Sequence, residues 1–493
     1  MEESKNTTGG TVASPTLKEK IINSRIWRSM FPGGMWKDTP RDRIQHIVGN
    51  VWFHIHPPKV RPHALKWTYT WALGGTSFLL FLILTLTGLL LMFYYRPTVG
   101  LAYHDMKDLE FAVSFGIFLR NMHRWAAHAM VITVILHMTR VFLTASYKLP
   151  REFNWGVGVV LLVLTLLLSF TGYLLPWDQL AIWAITVGTN MASAVPVLGA
   201  EGPFSIATLY NDVRFFLLGG TMVGENALLR FYVLHCIGLP LIAGIFMIVH
   251  FWRIRKDGFS GPVIAPGVQE EKKDVWPNLI YNEWIATIFT LAVLIIWSIL
   301  VNAPLEEFAN PNRTPNPAKA PWYFVGLQEL LVYFDPWIAG VMIPGIIIFG
   351  LIAIPYIDPN PQGAGIWTFK QRKFAITVYS IGIALWFILI FIGLWTRGPN
   401  WAWYWPWESW DIHKPPPGKT INLSNWLGGL LLIAYSVSGL IVPHRYFKNM
   451  GRIKYIIMMA MLLMMVGILL KIGLSLTFNV KYIFSLPQFN FNI

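Results

Sequence analysis

Cysteine is nearly absent from this chain, and charged residues are scarce. Cys236 is the only cysteine among 493 residues, which excludes an internal disulfide, a cysteine-held iron–sulfur cluster and a C-x-x-C-H haem attachment. Only 13% of the residues are charged and 55% are hydrophobic, which argues against a soluble multidomain enzyme and predicts a polytopic membrane protein. Residues 1–66 also lack the short apolar run and cleavage site of a signal peptide.

Long hydrophobic segments recur along the rest of the chain, and each is long enough to cross a bilayer. There are nine, at residues 67–95, 116–146, 155–175, 228–252, 283–302, 338–357, 374–396, 423–443 and 454–477. They predict an all-α polytopic membrane protein in which a four-helix bundle is followed by about five further transmembrane helices. Before them, residues 1–23 are expected to be disordered, and residues 24–66 are expected to form a membrane-surface helix or a partner-binding arm.

Lysine and arginine are unevenly distributed between the loops. Eleven of the 39 precede Trp67, and the loops after even-numbered segments are also basic. The loops after odd-numbered segments are longer but poor in both residues. The positive-inside rule therefore predicts a cytoplasmic N-terminus and an outside C-terminus, and the basic arm is expected to meet lipid headgroups rather than nucleic acid.

Two of the hydrophobic segments each carry a pair of histidines. His123 and His137 are 14 residues apart, and His235 and His250 are 15 apart. On a helix, 14 residues rise roughly 21 Å and return to within about 40° of the starting direction. A single buried histidine is usually a hydrogen-bonded core residue, but four ionisable groups at membrane depth each need a partner. They predict two haems, with iron held by His123 and His235 at the outer level and by His137 and His250 at the inner level.

Glycines repeat with the same spacing in the two neighbouring segments. Gly74 and Gly88 are 14 residues apart, and so are Gly158 and Gly172. The absence of a side chain lets a flat macrocycle approach the backbone, although small residues also serve ordinary helix packing. The matched spacing favours the haem interpretation.

Two outer loops carry aromatic and acidic residues. Asp178 follows a Pro-Trp pair after the third segment, and Trp322, Tyr323 and Glu329 follow Pro321 after the fifth. Such a loop beside an outer haem could house a planar apolar substrate and its proton acceptor. Interfacial anchoring explains Trp322 and Tyr323 nearly as well.

These motifs together resemble the cytochrome b subunit of the quinol-oxidising Rieske/cytochrome b complexes, in its chloroplast type fused to a part similar to subunit IV. The motifs are Phe93–Pro97, Arg120 with His123-Arg124-Trp125, Ile135–His137, Gly172–Gln179, Phe231–His235, and His250 with Arg255-Lys256 and Ser260-Gly261-Pro262. The resemblance divides the chain into an N-terminal arm (1–66), a four-helix haem domain (67–262), a three-helix domain (263–397) and an extension (398–493) that adds two spans.

The resemblance implies bifurcated quinol oxidation at the outer face. One electron goes to a Rieske iron–sulfur protein and on to a c-type cytochrome, and the other passes through both b haems to a quinone at the inner face, coupled to proton translocation. It further implies a homodimeric complex in a bacterial inner membrane. Arg120, Arg124 and Arg140 are similar to residues that neutralise haem propionates, and Arg255 to a residue of the basic cluster near the quinone-reducing site.

The chain departs from the family pattern in three places. The family's Pro-Glu-Trp-Tyr is Ala320-Pro321-Trp322-Tyr323 here, so Glu329, or else Asp178, is expected to accept the proton, and menaquinol is favoured as the quinol. Ala72 stands where a cysteine would tether an extra haem, so no covalently bound haem is expected. The tryptophan-rich loop 401–410, with His413 and the prolines after it, is expected to dock a partner or to form an interfacial belt.

Two other classes of protein stay open on the sequence. One is the dihaem, quinone-reactive membrane anchor of another dehydrogenase or reductase, which has fewer spans. The other is a transporter whose intramembrane histidines relay protons.

Overall fold

The computed structural model describes residues 16–30, 38–50, 53–264, 267–415 and 418–493. Within these residues, nine helices are long and apolar enough to cross a membrane, which confirms the predicted all-α architecture. In chain order, the first to ninth spans are Leu73–Met92, Gly116–Leu143, Glu152–Leu174, Glu225–Asp257, Val275–Leu300, Trp337–Ile357, Lys373–Thr396, Asn425–Tyr446 and Arg452–Phe478.

Shorter elements connect the spans. The short helices are Leu17–Ile22, Arg25–Met30, Pro40–Gly49, Trp67–Thr70, Ala102–Phe111, Gln179–Ser193, Val213–Leu218 and Trp322–Leu330. Three strand pairs complete the described fold: Lys59–Val60 with Lys273–Asp274 (antiparallel), Ile421–Asn422 with Val480–Tyr482 (parallel), and Ser485–Leu486 with Phe491–Asn492 (antiparallel).

Three spans contain a wide helical turn. It covers Leu234–Gly238 in the fourth span, Trp337–Met342 in the sixth and Ile392–Thr396 in the seventh. Such i→i+5 turns are rare and occur mostly at functional sites. The turn in the fourth span contains His235, so the local backbone sets the direction of this imidazole.

Two spans begin more than three residues from the start that hydropathy predicts. The first was predicted from residue 67 but begins at Leu73, because Trp71 and Ala72 adopt φ of 51° and 50° and separate Trp67–Thr70 from it. The fifth was predicted from residue 283 but begins at Val275. The N-terminal arm packs against its first turns, since Val275 and Leu279 join Ile47 in a buried cluster and Asn282 Nδ2 donates to the Leu65 carbonyl at 2.9 Å.

The loops gather at two ends of the bundle, as an alternating up-and-down chain requires. Residues 93–115, 175–224, 301–336 and 397–415 form the long-loop end. The Tyr103 hydroxyl donates to the Glu306 carbonyl at 2.9 Å, the Gln179 amide to the Glu307 carbonyl at 2.8 Å, and Asn316 Nδ2 to Asn400 Oδ1 at 2.9 Å.

The short-loop end comprises residues 144–151, 258–264, 358–372 and 447–451 with the arm. The Tyr69 hydroxyl lies 2.7 Å from the Ser260 hydroxyl, and the Lys148 ammonium lies 3.2 Å from the Asp358 carboxylate. The helix Pro40–Gly49 belongs to this end, because Ile47 packs with Val275 in a buried cluster. The parts of the arm predictions that fall on residues 1–15, 31–37 and 51–52, and the prolines 416–417, lie outside the described residues.

The C-terminal extension packs against the sixth span and the long-loop end. The Trp337 indole donates to the Asn492 carbonyl at 3.2 Å, and the Phe204 amide donates to the Phe489 carbonyl at 3.1 Å. Residues 479–493 thereby lie beside the loop that follows the third span.

Candidate haem-binding site

The first four spans surround a cavity of about 780 Å³ that contains the paired histidines. All four histidines line it, together with Gly74, Gly88, Gly158 and Gly172. The cavity reaches Ser260 at the short-loop end and Tyr323 at the long-loop end. Its volume lies in the range typical of small-molecule and cofactor sites.

His123 and His235 face each other across this cavity near the long-loop end. Their ring centroids are 6.3 Å apart and the planes are inclined at 81°. A metal ion about 2 Å from a nitrogen of each ring requires centroids roughly 6 Å apart. The pair therefore fits bis-imidazole ligation of a haem iron.

Two threonines fix the proton on these imidazoles. The hydroxyls of Thr87 and Thr171 donate to carbonyl oxygens one turn earlier, at 2.7 and 2.9 Å. The hydroxyl oxygen of Thr87 also lies 2.9 Å from His123 Nδ1, and that of Thr171 lies 3.1 Å from His235 Nδ1. Because each hydroxyl proton is already used, each oxygen accepts from Nδ1–H, and the Nε2 lone pair is left for a metal.

His137 and His250 form the second pair, nearer the short-loop end. Both line the same cavity. In the described part of the chain, their Nδ1 atoms are buried without a hydrogen-bond partner. The two pairs therefore lie in the same cavity but differ in their Nδ1 hydrogen bonds: threonines accept them at the first pair, and no described residue does so at the second.

Each of the four glycines faces one of the four histidines. A Cβ atom on Gly74 would lie 3.2 Å from Cε1 of His137, and one on Gly88 would lie 3.2 Å from Cε1 of His123. On Gly158 the distance to Cε1 of His250 would be 3.7 Å, an ordinary contact.

Gly172 makes the tightest approach of the four. A Cβ atom there would overlap the His235 ring. The glycines thus leave the space that the imidazoles occupy.

Three of the four predicted arginines line the cavity. Arg120 donates to the Ala303 and Pro304 carbonyls at 3.0 and 2.9 Å. The Arg124 guanidinium stacks 4.6 Å from the centre of the Tyr173 ring, and its buried Nε has no partner among the described residues.

Arg140 is the third, and Arg255 lies elsewhere. Arg140 stacks over Tyr69 at 4.6 Å and donates to its carbonyl at 2.8 Å. Arg255 is not among the residues that line the cavity in the described structure, and it donates instead to the His54 carbonyl.

Asp178 and Tyr323 line the long-loop end of the cavity. Asp178 caps the helix Gln179–Ser193, with one carboxylate oxygen accepting from the Ala181 amide at 2.8 Å and the other from the Glu306 amide at 3.2 Å. Burial raises the pKa of Asp178. Burial also raises the pKa of Tyr323 to about 12, and its hydroxyl donates to the Ser169 carbonyl at 3.3 Å.

Glu329 lies apart from these residues. Its side chain is fully buried, forms an ion pair with Arg397 at 2.6 Å, and accepts from the Tyr333 hydroxyl at 2.9 Å and the Trp401 indole at 3.0 Å. It is not among the cavity-lining residues of the described structure. The structure therefore brings Asp178 and Tyr323 together with His123, but not Glu329.

Sequence reasoning missed two further groups. Trp322 Nε1 donates to Nδ1 of His128, a fifth histidine in the paired-histidine helices, at 2.9 Å. At the short-loop end, His56 Nε2 lies 3.0 Å from the Glu283 carboxylate. His128, His56 and Glu283 all line the cavity. The sequence does show His128 as a histidine within the second hydrophobic segment. Nothing local in the sequence links His56 to Glu283.

Comparison with known proteins gives relatives of the region that contains these residues. The family model described as cytochrome b/b6/petB matches residues 59–258. Cytochrome b6 of Gracilaria tenuistipitata var. liui is 42% identical over 223 residues, which cover 45% of this chain and 95% of the relative. Cytochrome b6 of Acaryochloris marina (strain MBIC 11017) is likewise 42% identical over 223 residues, with the same coverage of both chains.

A solved structure supports the fold beyond that region. A chain of a structure titled "Hyperthermophilic respiratory Complex III" superposes with a TM-score of 0.60 over 68% of this chain and 85% of that one, at 23% identity. The family predicted from the motifs is confirmed: the chain belongs to the cytochrome b/b6 family, the membrane subunits of quinol-oxidising oxidoreductase complexes.

Proposed function

We propose that the chain binds two b haems, oxidises quinol at the long-loop end of the cavity and reduces quinone at the short-loop end. The observation that carries this proposal is the placement of two imidazole pairs at two depths of one cavity, each ring beside a glycine. When bound, haem supplies a one-electron redox centre at each pair, and two such centres provide a path for electrons across the membrane.

The histidine pairs hold the iron, and the arginines balance charge. At the long-loop pair the threonines keep the proton on Nδ1, so His123 and His235 present Nε2 to the metal. Arg120, Arg124 and Arg140 line the cavity and neutralise buried carboxylates of the cofactors. Ala72 carries no thiol, so no haem is attached covalently at this position.

Asp178 is the favoured proton acceptor for quinol oxidation. It lines the cavity, and burial raises its pKa, which makes its carboxylate a stronger base than an exposed one. Glu329 would first have to leave Arg397 and a buried hydrogen-bond network. Tyr323 lines the same end of the cavity, and Trp322 beside it donates to His128.

A proton is already held at the short-loop end. His56 Nδ1 lies 3.2 Å from the Phe53 carbonyl, which only accepts, so Nδ1 is protonated. Nε2 faces the Glu283 carboxylate at 3.0 Å, and this contact needs a proton on one of the two atoms. The pair is therefore a proton donor for quinone reduction, and Arg255 fixes the arm segment that carries His56 by binding the His54 carbonyl.

The membrane orientation and the partners follow from the loop charges and the family. The basic short-loop end faces the cytoplasm of a bacterial cell, with the N-terminus on that side. The long-loop end faces a Rieske iron–sulfur protein and a c-type cytochrome in a homodimeric complex. The departure from Pro-Glu-Trp-Tyr at Ala320–Tyr323 favours menaquinone as its quinone. Residues 1–66, 67–262, 263–397 and 398–493 are the arm, the haem domain, the subunit IV-like domain and the extension.

The test is a redox titration of the purified full chain, followed by its reduction with quinol. Two b haems of different midpoint potential are expected, and an analogue bound at the long-loop end should block their reduction by quinol. A spectrum without haem bands would contradict the proposal and leave the transporter alternative open. Haems that are reduced only from the short-loop end would favour the membrane anchor of another dehydrogenase.

A matched pair of variants tests the proton acceptor. Asp178→Asn should slow quinol oxidation at least tenfold, in line with general-base contributions of about 10²-fold or more. Glu329→Gln should leave Arg397 unpaired and lower the thermal stability first, because a broken buried ion pair costs about 3–5 kcal/mol. If Glu329→Gln instead slows quinol oxidation at unchanged stability, while Asp178→Asn has no effect, Glu329 is the acceptor.

A further inference from the structure

His128 stands outside the two-level histidine pattern. It follows His123 by five residues on the second span, so about 140° of helical rotation separates the two side chains. Three aromatic rings surround it, with centroids at 5.5 Å (Trp125), 6.5 Å (Trp322) and 6.3 Å (Tyr323). The ring is thus held between the second span and the helix Trp322–Leu330.

The contact with Trp322 fixes the proton of this ring. An indole N–H only donates, so the Trp322 Nε1–His128 Nδ1 hydrogen bond of 2.9 Å requires an unprotonated Nδ1. A neutral imidazole must then carry its proton on Nε2. The positive Arg124, one turn earlier on the same helix, disfavours a second positive charge here. His128 is therefore a neutral Nε2–H donor.

This donor is left for a ligand. The indole contact is the only hydrogen bond of the His128 ring within the described residues, and His128 lines the cavity. An N–H donor that borders a largely apolar cavity is best satisfied by an acceptor, so a ligand in this part of the cavity is expected to offer an oxygen. Asp178, as an ionised carboxylate, only accepts hydrogen bonds. Asp178 therefore suits a hydroxyl oxygen of the ligand that donates a proton, and His128 suits a ligand oxygen that accepts one.

We propose that His128 binds the quinone-class substrate by donating Nε2–H to one ring oxygen, and that Trp322 is the positioning residue that holds its tautomer. This inference rests on the proposed function and adds a substrate-binding residue to it. It gives Trp322 a role other than interfacial anchoring.

The test measures binding of two probes to the full chain with its haems, by equilibrium dialysis in detergent. Menadione has two ring oxygens, and 2-methylnaphthalene has a matching carbon skeleton without them. Menadione is expected to bind at both ends of the cavity, so His128→Leu should weaken one of two menadione sites roughly tenfold, as expected for a lost buried hydrogen bond. The other menadione site and 2-methylnaphthalene binding should be unchanged. The menadiol concentration that gives half the maximal rate of haem reduction should rise by a similar factor, with the maximal rate less affected and both haem spectra intact.

Three further variants make the test specific. His128→Asn keeps an N–H donor and should recover part of the menadione affinity. Trp322→Phe removes the indole donor but leaves the imidazole, and should weaken menadione binding about threefold. His104→Leu is the control at the same end, because His104 stacks on Phe308 at 6.1 Å and does not line the cavity in the described structure.

The outcomes separate this inference from the proposed function. Wild-type menadione affinity in His128→Leu, or equal weakening of both probes, would overturn the role of His128 while menadiol still reduces the haems. If His128→Leu loses its haems, Trp322→Phe decides, and unchanged menadione affinity there overturns the inference. If menadiol fails to reduce the wild-type haems, the proposed function itself is wrong.

Discussion

The two histidine levels of the cavity are built from the same residues but are held differently. At the long-loop level, a Thr-Gly pair stands opposite each histidine, and the threonine accepts the Nδ1 proton. At the short-loop level, Leu73 and Val157 precede the glycines, and the Nδ1 atoms have no partner in the described residues. An Nδ1–H···O bond raises the basicity of a ligating imidazole. The long-loop haem should therefore have the lower midpoint potential.

Removing one histidine from each level is expected to have the largest effect. His235→Leu should abolish only the haem at the long-loop level, and His250→Leu only the one at the short-loop level, because each iron loses an axial ligand. Haem content and low-temperature spectra of the purified variants measure this. Loss of the same haem in both variants would show that the two levels are not separate sites.

The glycines at the two levels differ in how closely a methyl group would approach the facing histidine. Gly172→Ala places a methyl group into the His235 ring, whereas Gly158→Ala makes only a 3.7 Å contact with His250. The first variant should lose most of its long-loop haem, and the second should retain both. Equal haem content in the two variants would mean that the His235 ring shifts without cost.

Proton transfer should also differ between the two ends. Asp178→Asn should slow quinol oxidation, and Glu283→Gln should slow quinone reduction, each about tenfold or more. Burial raises the pKa of Asp178, so the acceptor is protonated up to a higher pH than an exposed aspartate. The wild-type oxidation rate should therefore rise with pH through this pKa, and Asp178→Asn should remove the dependence. An unchanged pH profile in Asp178→Asn would contradict its role.

The smallest expected effect is a change of midpoint potential. Thr171→Val removes the Nδ1–H acceptor of His235 and should raise the long-loop potential by a few tens of mV, the equivalent of about 1 kcal/mol. Val157→Thr places a Thr-Gly pair opposite His250 and should lower the short-loop potential. Redox titration of both variants measures the shifts. Shifts of the same sign would contradict the assigned role of the hydroxyl.

Periodicity and hydropathy predicted much of this molecule. The nine spans follow from apolar runs, and spacings of 14 and 15 residues place each histidine pair near one helix face. Boundaries were wrong where tertiary contacts outweigh hydropathy. The fifth span starts eight residues early because its first turns pack against Ile47 and Val60 of the N-terminal arm.

Contacts between distant residues could not be predicted. Trp322 and His128 are 194 residues apart, and Arg397 and Glu329 are 68 apart. A carboxylate after an aromatic loop suggested a proton acceptor at Glu329. Only the folded chain shows that this carboxylate lies in a buried ion pair while Asp178 lines the cavity.

The network around Glu329 makes the extension, residues 398–493, a structural part of the rest of the protein. Its ion-pair partner, Arg397, is the final residue of the three-helix part, and the Trp401 indole that also contacts it belongs to the extension. Lys471 in the ninth span donates to the Tyr333 carbonyl at 3.1 Å. Splitting the protein after residue 397 would remove the Trp401 donor from the buried Glu329 carboxylate and the Lys471 donor from the Tyr333 carbonyl. A two-piece version should therefore assemble only if both halves are made together.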